Sequence, residues 1–329
     1  MNNIGKNEIE KGLSCIILAA GEGTRMKPIS LKMPKALCPI VDKPIIERCL
    51  EGFFQLGIKR FVIVVRAEEN PIREYLLRSS IKVDLKFAYQ AEALGSGHAL
   101  MMAEDIVETD SFFVAACDNI VPFAHLEEMH YKFYREDCDA VLSLQHETLE
   151  GIFARSNVSL QRDRVIKIIE KPGKEEIMSD VICLPIYLCR QDIFSYLKRL
   201  PLSPRGEYEL PQVFQMMIDN GKDIYGIFTD KRFDLTSPAD LLEINRAFLK
   251  EEVKGIVSRS VLPQDINILP PVFIDSDCCF GQQCSLGPYV VVSKNCSIGA
   301  RVQLSKCVIL EGTEVYAGQK LSERIIFNP

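Results

Sequence analysis

No C-x-x-C spacing occurs among the twelve cysteines, and none of the four histidines (His98, His125, His130, His146) pairs with them at metal-ligand spacing. Reduced cytosolic thiols are the expected state, and a zinc site is not. Long apolar runs are also missing. Runs such as residues 15–20, 61–65 and 289–292 are far short of a bilayer span, so no membrane partner is expected. The start of the chain, MNNIGKNEIEKG, has no apolar h-region, so no export is expected and the cytoplasm is the expected location. A basic face is lacking too, since the formal net charge is -6, which argues against nucleic acid as a partner. With 329 residues there is ample length for one large domain and a smaller one.

What is present is concentrated first in residues 13–45, LSCIILAAGEGTRMKPISLKMPKALCPIVDKPI. Residues 14–20 are continuously apolar after Ser14, the pattern of a strand buried on both faces of a parallel sheet. The loop after it carries Gly21 and Gly23, which permit close backbone approach, and Arg25, Lys27, Lys32 and Lys35. Arginine is a bidentate phosphate donor and lysine a mobile point charge. Pro28, Pro34, Pro39 and Pro44 stiffen the segment. The expectation is a pre-shaped polyphosphate cradle at the carboxyl end of the first strand. It is not a dinucleotide fingerprint, because the third glycine is missing, and the Walker A pattern is absent as well.

Onward, the pattern predicts a helix over 43–56 with Ile45, Ile46, Cys49, Leu50, Phe53 and Phe54 inward, then a strand over 60–65. Asn70-Pro71 predicts a capped helix to residue 77. A strand over 83–89 ends at Gln90, a helix covers 95–103, and a strand over 112–116 ends on Cys117-Asp118-Asn119. A helix near 126–135 and a strand near 140–144 follow. This alternation predicts an α/β, doubly wound, mostly parallel, Rossmann-like sheet, whose ligands bind beyond the strands' carboxyl ends. Gly21, Gln90 and Asp118 all stand at such ends. Strands and hairpins dominate 151–229, with helices near 191–198 and 210–219 and a turn at Arg162-Asp163. Ser237-Pro238 caps a last helix that ends near Gly255, the expected boundary between a 1–255 domain and a 256–329 domain.

The tail repeats. Ile268, Ile274, Phe280, Leu286, Val292, Ile298, Leu304 and Leu310 recur every six residues. Two before each stands Ile266, Val272, Cys278, Cys284, Val290, Cys296, Val302 or Val308. This hexapeptide repeat predicts a parallel β-helix, and it assigns Cys278, Cys284 and Cys296 to small inward positions. An open apolar edge with Tyr289 and Tyr316 would be a liability unless covered, so a homo-oligomer contacting through the tail is expected.

Residues 18–26, LAAGEGTRM, with Met33-Pro-Lys-Ala-Leu-Cys-Pro39, resemble the signature of the sugar-1-phosphate nucleotidyltransferases, the NDP-sugar pyrophosphorylases. The similarity runs on through residues 90–99 (QAEALGSGHA), Asp118, Glu170-Lys-Pro172, Gly206-Glu-Tyr-Glu-Leu210 and Asp234-Leu-Thr-Ser-Pro238, covering about 13–250. The resemblance implies attack of a sugar-1-phosphate oxygen on the α-phosphorus of a nucleoside triphosphate, with pyrophosphate leaving. The nucleophile is already an anion, so no general base is needed, and positioning and charge neutralisation supply the rate.

By resemblance, Leu18, Ala20 and Gly21 line the nucleotide, Gly23 and Arg25 hold its outer phosphates, and Gln90 and Gly95 read the base. Lys35 bridges to the α-phosphate. Gly151, Glu170 and Lys171 meet the sugar phosphate, and Asp118 with Asp234 holds Mg2+. Arg25, Lys35 and Lys171 are the implied catalytic groups. The bland alternatives are solvated charges at Arg25 and Lys35, a turn cap at Asp118, and a hairpin-end ion pair at Glu170-Lys171. The family's sugar-contacting asparagine has no match in Ser179-Asp-Val-Ile-Cys-Leu-Pro-Ile-Tyr187. Asp180 or Cys183 falls near its place, which leaves the sugar open.

The 90–99 stretch and residues 39–46 look most like uridylyltransferases acting on glucose-1-phosphate or N-acetylglucosamine-1-phosphate, with UTP or dTTP as the nucleotide. GTP with mannose-1-phosphate and a catalytically silent regulatory subunit of the same fold are the alternatives. The tail, by resemblance a short left-handed β-helix, is too short for the acetyl-CoA site of the bifunctional members.

Overall fold

The computed structural model describes residues 12–67 and 70–328, so the polar start of the chain read above lies outside the described residues. In chain order come β1 (Ser14–Leu18), α1 (Ile45–Gln55), β2 (Arg60–Val65), α2 (Pro71–Arg78), β3 (Asp84–Tyr89), α3 (Ser96–Met101), β4 (Ser111–Ala116) and α4 (Phe123–Glu136). Then follow β5 (Ala140–His146), β6 (Ser156–Gln161), β7 (Arg164–Glu170), β8 (Val181–Arg190), α5 (Ile193–Leu197), α6 (Leu210–Asp219), β9 (Ile224–Phe228) and α7 (Pro238–Phe248). Local chemistry explains the ends. The Asn70 side chain accepts the Ile72 N–H at 2.9 Å, and Ser237 and Asp240 close a capping box at α7.

Nine strands form one sheet in the order β3-β2-β1-β4-β8-β5-β9-β7-β6. The first four are parallel, with β1 between β2 and β4. Beyond β4 the sheet is mixed, but the expected mostly parallel character holds, because only β7 and β8 run against the other strands. β8 runs antiparallel to both β4 and β5, and β7 is antiparallel to β9 and β6, while β9 is parallel to β5. The hairpin β6–β7, turned at Arg162 with φ 60, cannot be parallel, since only a long crossover joins parallel strands. Pro185 marks a second irregularity. Between Cys183 and Tyr187, β8 spends four residues where β5 spends two, because proline offers no N–H to the ladder. Apolar helix faces cover the sheet, with Phe53 against Phe113 at 5.2 Å and Phe112 against Phe194 at 5.5 Å. Phe54, expected inward, is 38% exposed; Phe53 alone of that pair faces the core.

The tail is a β-helix-like region of three parallel sheets. Ile274 pairs with Val292, Phe280 with Ile298 and Leu286 with Leu304, so three hexads make one coil. Cys278, Cys284 and Cys296 lie in its core as expected. The last hexad differs. Val292 pairs with Ile309, one residue early, so Cys307 and Ile309 take the inward register, while Val308 and Leu310 are buried outside that cluster. The corner at Lys306, with φ 50, is one residue short. Tyr289 is not an open edge either, since the Arg246 guanidinium lies 5.2 Å over its ring; Tyr316 remains 60% exposed.

By compactness the chain divides into two units. One comprises the chain up to Glu22 with Cys49–Phe233, and holds the whole sheet. The other joins Gly23–Arg48 to the chain from Asp234 onward, and so holds the loop bearing Arg25 and Lys35, α7 and the tail. No helix among the described residues is long and apolar enough to cross a membrane. All twelve cysteines are free thiols.

Candidate active site

In the sheet unit, strand register places the expected ligand loops on one edge. Leu18 lies level with Val64 on one side and Ala116 on the other. The Ala19 N–H donates to the Val64 carbonyl at 2.8 Å, the Cys117 N–H to the Leu18 carbonyl at 3.2 Å, and the Gln90 N–H to the Val65 carbonyl at 2.8 Å. Gly21, Gln90 and Asp118 therefore leave the carboxyl ends of β1, β3 and β4 together. Ala20 is buried and Gly21 exposed. A Cβ at Gly21 would meet no protein atom within 4 Å, so the fold itself makes no demand for glycine there.

Gln90 is buried, and its side-chain amide donates to the Gly95 carbonyl and contacts His98 Nδ1, each at 3.0 Å. Gly95 has φ 94, and a Cβ there would fall 2.7 Å from the Tyr208 carbonyl, so only glycine fits. The Gly97 N–H donates to that same carbonyl at 2.7 Å, and the Tyr208 N–H returns to the Leu94 carbonyl at 2.8 Å. The 90–99 and 206–210 motifs are thus one folded feature, with His98 stacked on Tyr208 at 6.1 Å. His98 lies in the first turn of α3.

Asp118 is buried and accepts from the Asn119 side chain at 3.1 Å. Glu170, at the end of β7, takes the Ser156 hydroxyl and sits 3.8 Å from Lys171. Burial raises the Glu170 pKa, against the lowering pull of the Ser156 hydrogen bond and the Lys171 charge. Lys171 holds φ 48, an uncommon conformation that turns the chain directly after Glu170. Gly151 lies in the short helix Leu149–Ile152, where Thr148 caps its N–H at 3.3 Å. Burial also pushes the Cys183 thiol up, and the nearby Glu170 charge adds to that. Ser156 was missed by the sequence reading; its neighbour Asn157, buried and bonded to Ser179, Val181 and Met178, gave no motif to find it by.

In the other unit, the glycine loop after β1 is built from three single turns, Thr24–Met26, Ile29–Leu31 and Lys35–Leu37. Buried Met26, Ile29 and Ala36 anchor one turn each, which accounts for a stiff rather than a floppy loop. Gly23 has φ 62, and a Cβ there would come 3.2 Å from Lys35 Cβ, so the glycine and the lysine are neighbours. Arg25 is exposed and Lys35 half-buried. Asp234 accepts from the Thr236 hydroxyl at 3.0 Å. Among the described residues no cluster of three or more His, Cys, Asp or Glu side chains forms a metal cage.

A profile described as nucleotidyl transferase matches residues 14–251. The chain belongs to the nucleotidyl transferase family. Within that family, it is 31% identical over 265 residues to the bifunctional protein GlmU of Methanococcus maripaludis, covering 80% of this chain and 60% of that protein. The chain therefore spans about 60% of the length of the GlmU proteins it matches. It is 30% identical to the UTP–glucose-1-phosphate uridylyltransferase AglF of Haloferax volcanii, over 74% of this chain and 99% of AglF. A probable mannose-1-phosphate guanylyltransferase of Oryza sativa subsp. japonica is 25% identical over 95% of this chain and 86% of its own. A second profile, the GMPPB C-terminal domain, matches residues 268–328. Among solved structures, a UDP-glucose pyrophosphorylase complexed with UDP-glucose shares the fold, with TM-score 0.65 at 23% identity, covering 73% of this chain and 100% of that one. The resemblance read from the LAAGEGTRM and MPK motifs is borne out at the level of the family and its Rossmann-like fold.

Proposed function

We propose that the chain is a sugar-1-phosphate nucleotidyltransferase, converting a nucleoside triphosphate and a sugar-1-phosphate to an NDP-sugar and pyrophosphate. The observation that carries this is the placement of Gly21, Gln90 and Asp118 at the carboxyl ends of β1, β3 and β4 on one edge of the parallel half of the sheet, within the region matching the family. In this reading Leu18, Ala20 and Gly21 receive the nucleotide, and Gln90 and Gly95 read its base. Gly23 and Arg25 hold the leaving phosphates and Lys35 the α-phosphate. Gly151, Glu170 and Lys171 bind the sugar phosphate.

The phosphate oxygen of the sugar attacks the α-phosphorus in line, the bond to the pyrophosphate oxygen breaks, and Arg25, Lys35 and Lys171 neutralise the spreading charge. Asp118 and Asp234 are the residues that would hold Mg2+. A hard cation bound to nucleotide phosphates takes most of its oxygens from phosphates and water and needs few carboxylates. Such an ion supplies charge neutralisation on the phosphates. A left-handed coil in the tail, a homo-oligomer joined through its exposed apolar residues such as Ile256, Leu269 and Tyr316, and a cytoplasmic setting consistent with twelve free thiols belong to the same proposal.

UTP or dTTP with glucose-1-phosphate or N-acetylglucosamine-1-phosphate is the leading pair, supported by the similarity to AglF. The tail's match to the GMPPB C-terminal domain favours GTP with mannose-1-phosphate as a second reading. Pyrophosphate release, measured across four nucleotides and these three sugar phosphates, decides between them. Release with no pair at all would refute the transferase assignment and leave the silent-subunit alternative.

A further inference from the structure

The segment that follows Lys35 carries a backbone outlier. Pro39–Ile40 and Lys43–Pro44 pair antiparallel across a two-residue turn, Val41 and Asp42, and Val41 holds φ 61. A β-branched residue in the left-handed region is strained. Such strain persists only where the surroundings over-determine it, and it gathers at functional sites.

Here Asn245 supplies much of that determination. It is buried on the stripe of α7 shared by Leu241, Ile244 and Phe248, where the helical period calls for an apolar side chain. Its carbonyl oxygen accepts the Val41 N–H at 2.7 Å. Its amide donates to the Pro39 carbonyl at 2.8 Å and the Leu241 carbonyl at 2.9 Å.

A chain of charges holds the other turn residue. Asp42 meets Arg48 at 2.8 Å and Arg259 at 3.0 Å. Arg48 continues to Glu252 at 2.8 Å, and Arg259 to Asp275 at 3.2 Å. Arg48 is buried and stacks on Phe248 at 4.9 Å. A third tie lies nearer the start of the loop, where Lys32 donates to the Asn328 carbonyl at 2.8 Å and lies 6.0 Å over the Phe327 ring. Loop, α7 and tail all belong to one compact unit. An isolated exposed ion pair contributes little, but pairs that share Asp42 and a buried guanidinium fix a geometry.

We infer that Asn245 and Arg259 are positioning residues. Through the strained Val41-Asp42 turn, they hold the segment bearing Lys35 in the geometry that phosphoryl transfer needs. The tail thereby takes part in the chemical step. This rests on the transferase function proposed above.

The variants that test it are Arg259→Ala, whose side chain is half exposed, and Val41→Gly, which relieves the strain and frees the turn. The readouts are kcat, KM for each substrate, melting temperature, and amide hydrogen exchange over residues 23–44. A displacement of about 1 Å at a reacting group costs on the order of 10²-fold, so a partial release should lower kcat about tenfold. KM for the sugar phosphate and the melting temperature should stay near wild type, and exchange over 23–44 should rise. Arg259→Lys, unable to bridge both Asp42 and Asp275, should fall between. Unchanged exchange in both variants overturns the clamp. Raised exchange with unchanged kcat overturns its link to chemistry. A wild-type chain inactive with every substrate pair refutes the transferase function, and the exchange measurement then still decides whether the tail holds the loop.

Discussion

Strand partners in the sheet come from far along the chain, whereas in the tail they come from one coil away. Ser14 pairs with both Arg60 and Phe112, while Val272 pairs with Val290. In the tail, every second position of each short strand is committed to the interior, and the period leaves little free for chemistry. In the sheet, long crossovers return strands side by side, and the loops at their carboxyl ends are free to carry Gly21, Gln90 and Asp118. The region with the simpler rule holds the shape, and the region with the harder topology holds the candidate chemistry. The phosphate loop breaks this division, because its residues belong to the compact unit of the tail.

The sharpest way to separate chemistry from shape is Arg25→Ala. Arg25 is exposed, so its loss should leave the melting temperature unchanged while turnover falls about 10²–10³-fold, as for removal of one preorganised charge donor. Steady-state rates with wild-type-like calorimetry would agree, and a parallel loss of rate and stability would contradict it.

The converse experiment is Ile298→Ala. Ile298 is buried in the tail core, and truncation there should cost about 2–5 kcal/mol. Because repeat arrays couple mainly to their neighbours, hydrogen exchange should rise across Cys279–Phe280 and Glu314–Val315, the strands paired with Ser297–Ile298, while β1 keeps its protection. Uniform loss of protection would show that the two regions unfold as one.

A smaller effect belongs to the sheet unit alone. His125 is buried with its Nε2 2.7 Å from the Ser143 hydroxyl, and burial lowers its pKa to about 4 against the raising pull of the nearby Phe228 backbone. A depressed histidine pKa means that the folded state favours the neutral ring. Its contribution is complete above about pH 6.5 and is lost as the pH falls toward 4, by at most about 3 kcal/mol. In His125→Gln the stability lost over that interval should shrink. Denaturant melts of both proteins at pH 7 and pH 4.5 would show it, and equal losses would exclude His125 as the titrating group.

Much of this was legible beforehand where a local signal existed. The Asn70 and Ser237 caps, the buried strand after Leu13, the hairpin turn at Arg162 and the coil period each depend on residues close in sequence. The adjacency of the 90–99 and 206–210 motifs rests on backbone bonds through Tyr208, and no spacing announces it. Phe54 read as core because periodicity marks a stripe, whereas which edge of the stripe meets water depends on what packs there.

By itself, the sequence determined which segments are strands, which ends carry glycine, amide and carboxylate, and that the tail repeats in sixes. These follow from side-chain alternation and backbone freedom, which are properties of neighbouring residues. Only the tertiary structure decided that β8 enters antiparallel beside β4, that Pro185 bulges it, and that the coil loses one residue at Lys306. It also decided that a buried asparagine of α7 holds the turn after Lys35, and that a chain of charges ties that turn to the tail. Each of those outcomes depends on which distant surface offers a partner, and a pattern of apolar and polar residues specifies the need for burial without naming what supplies it.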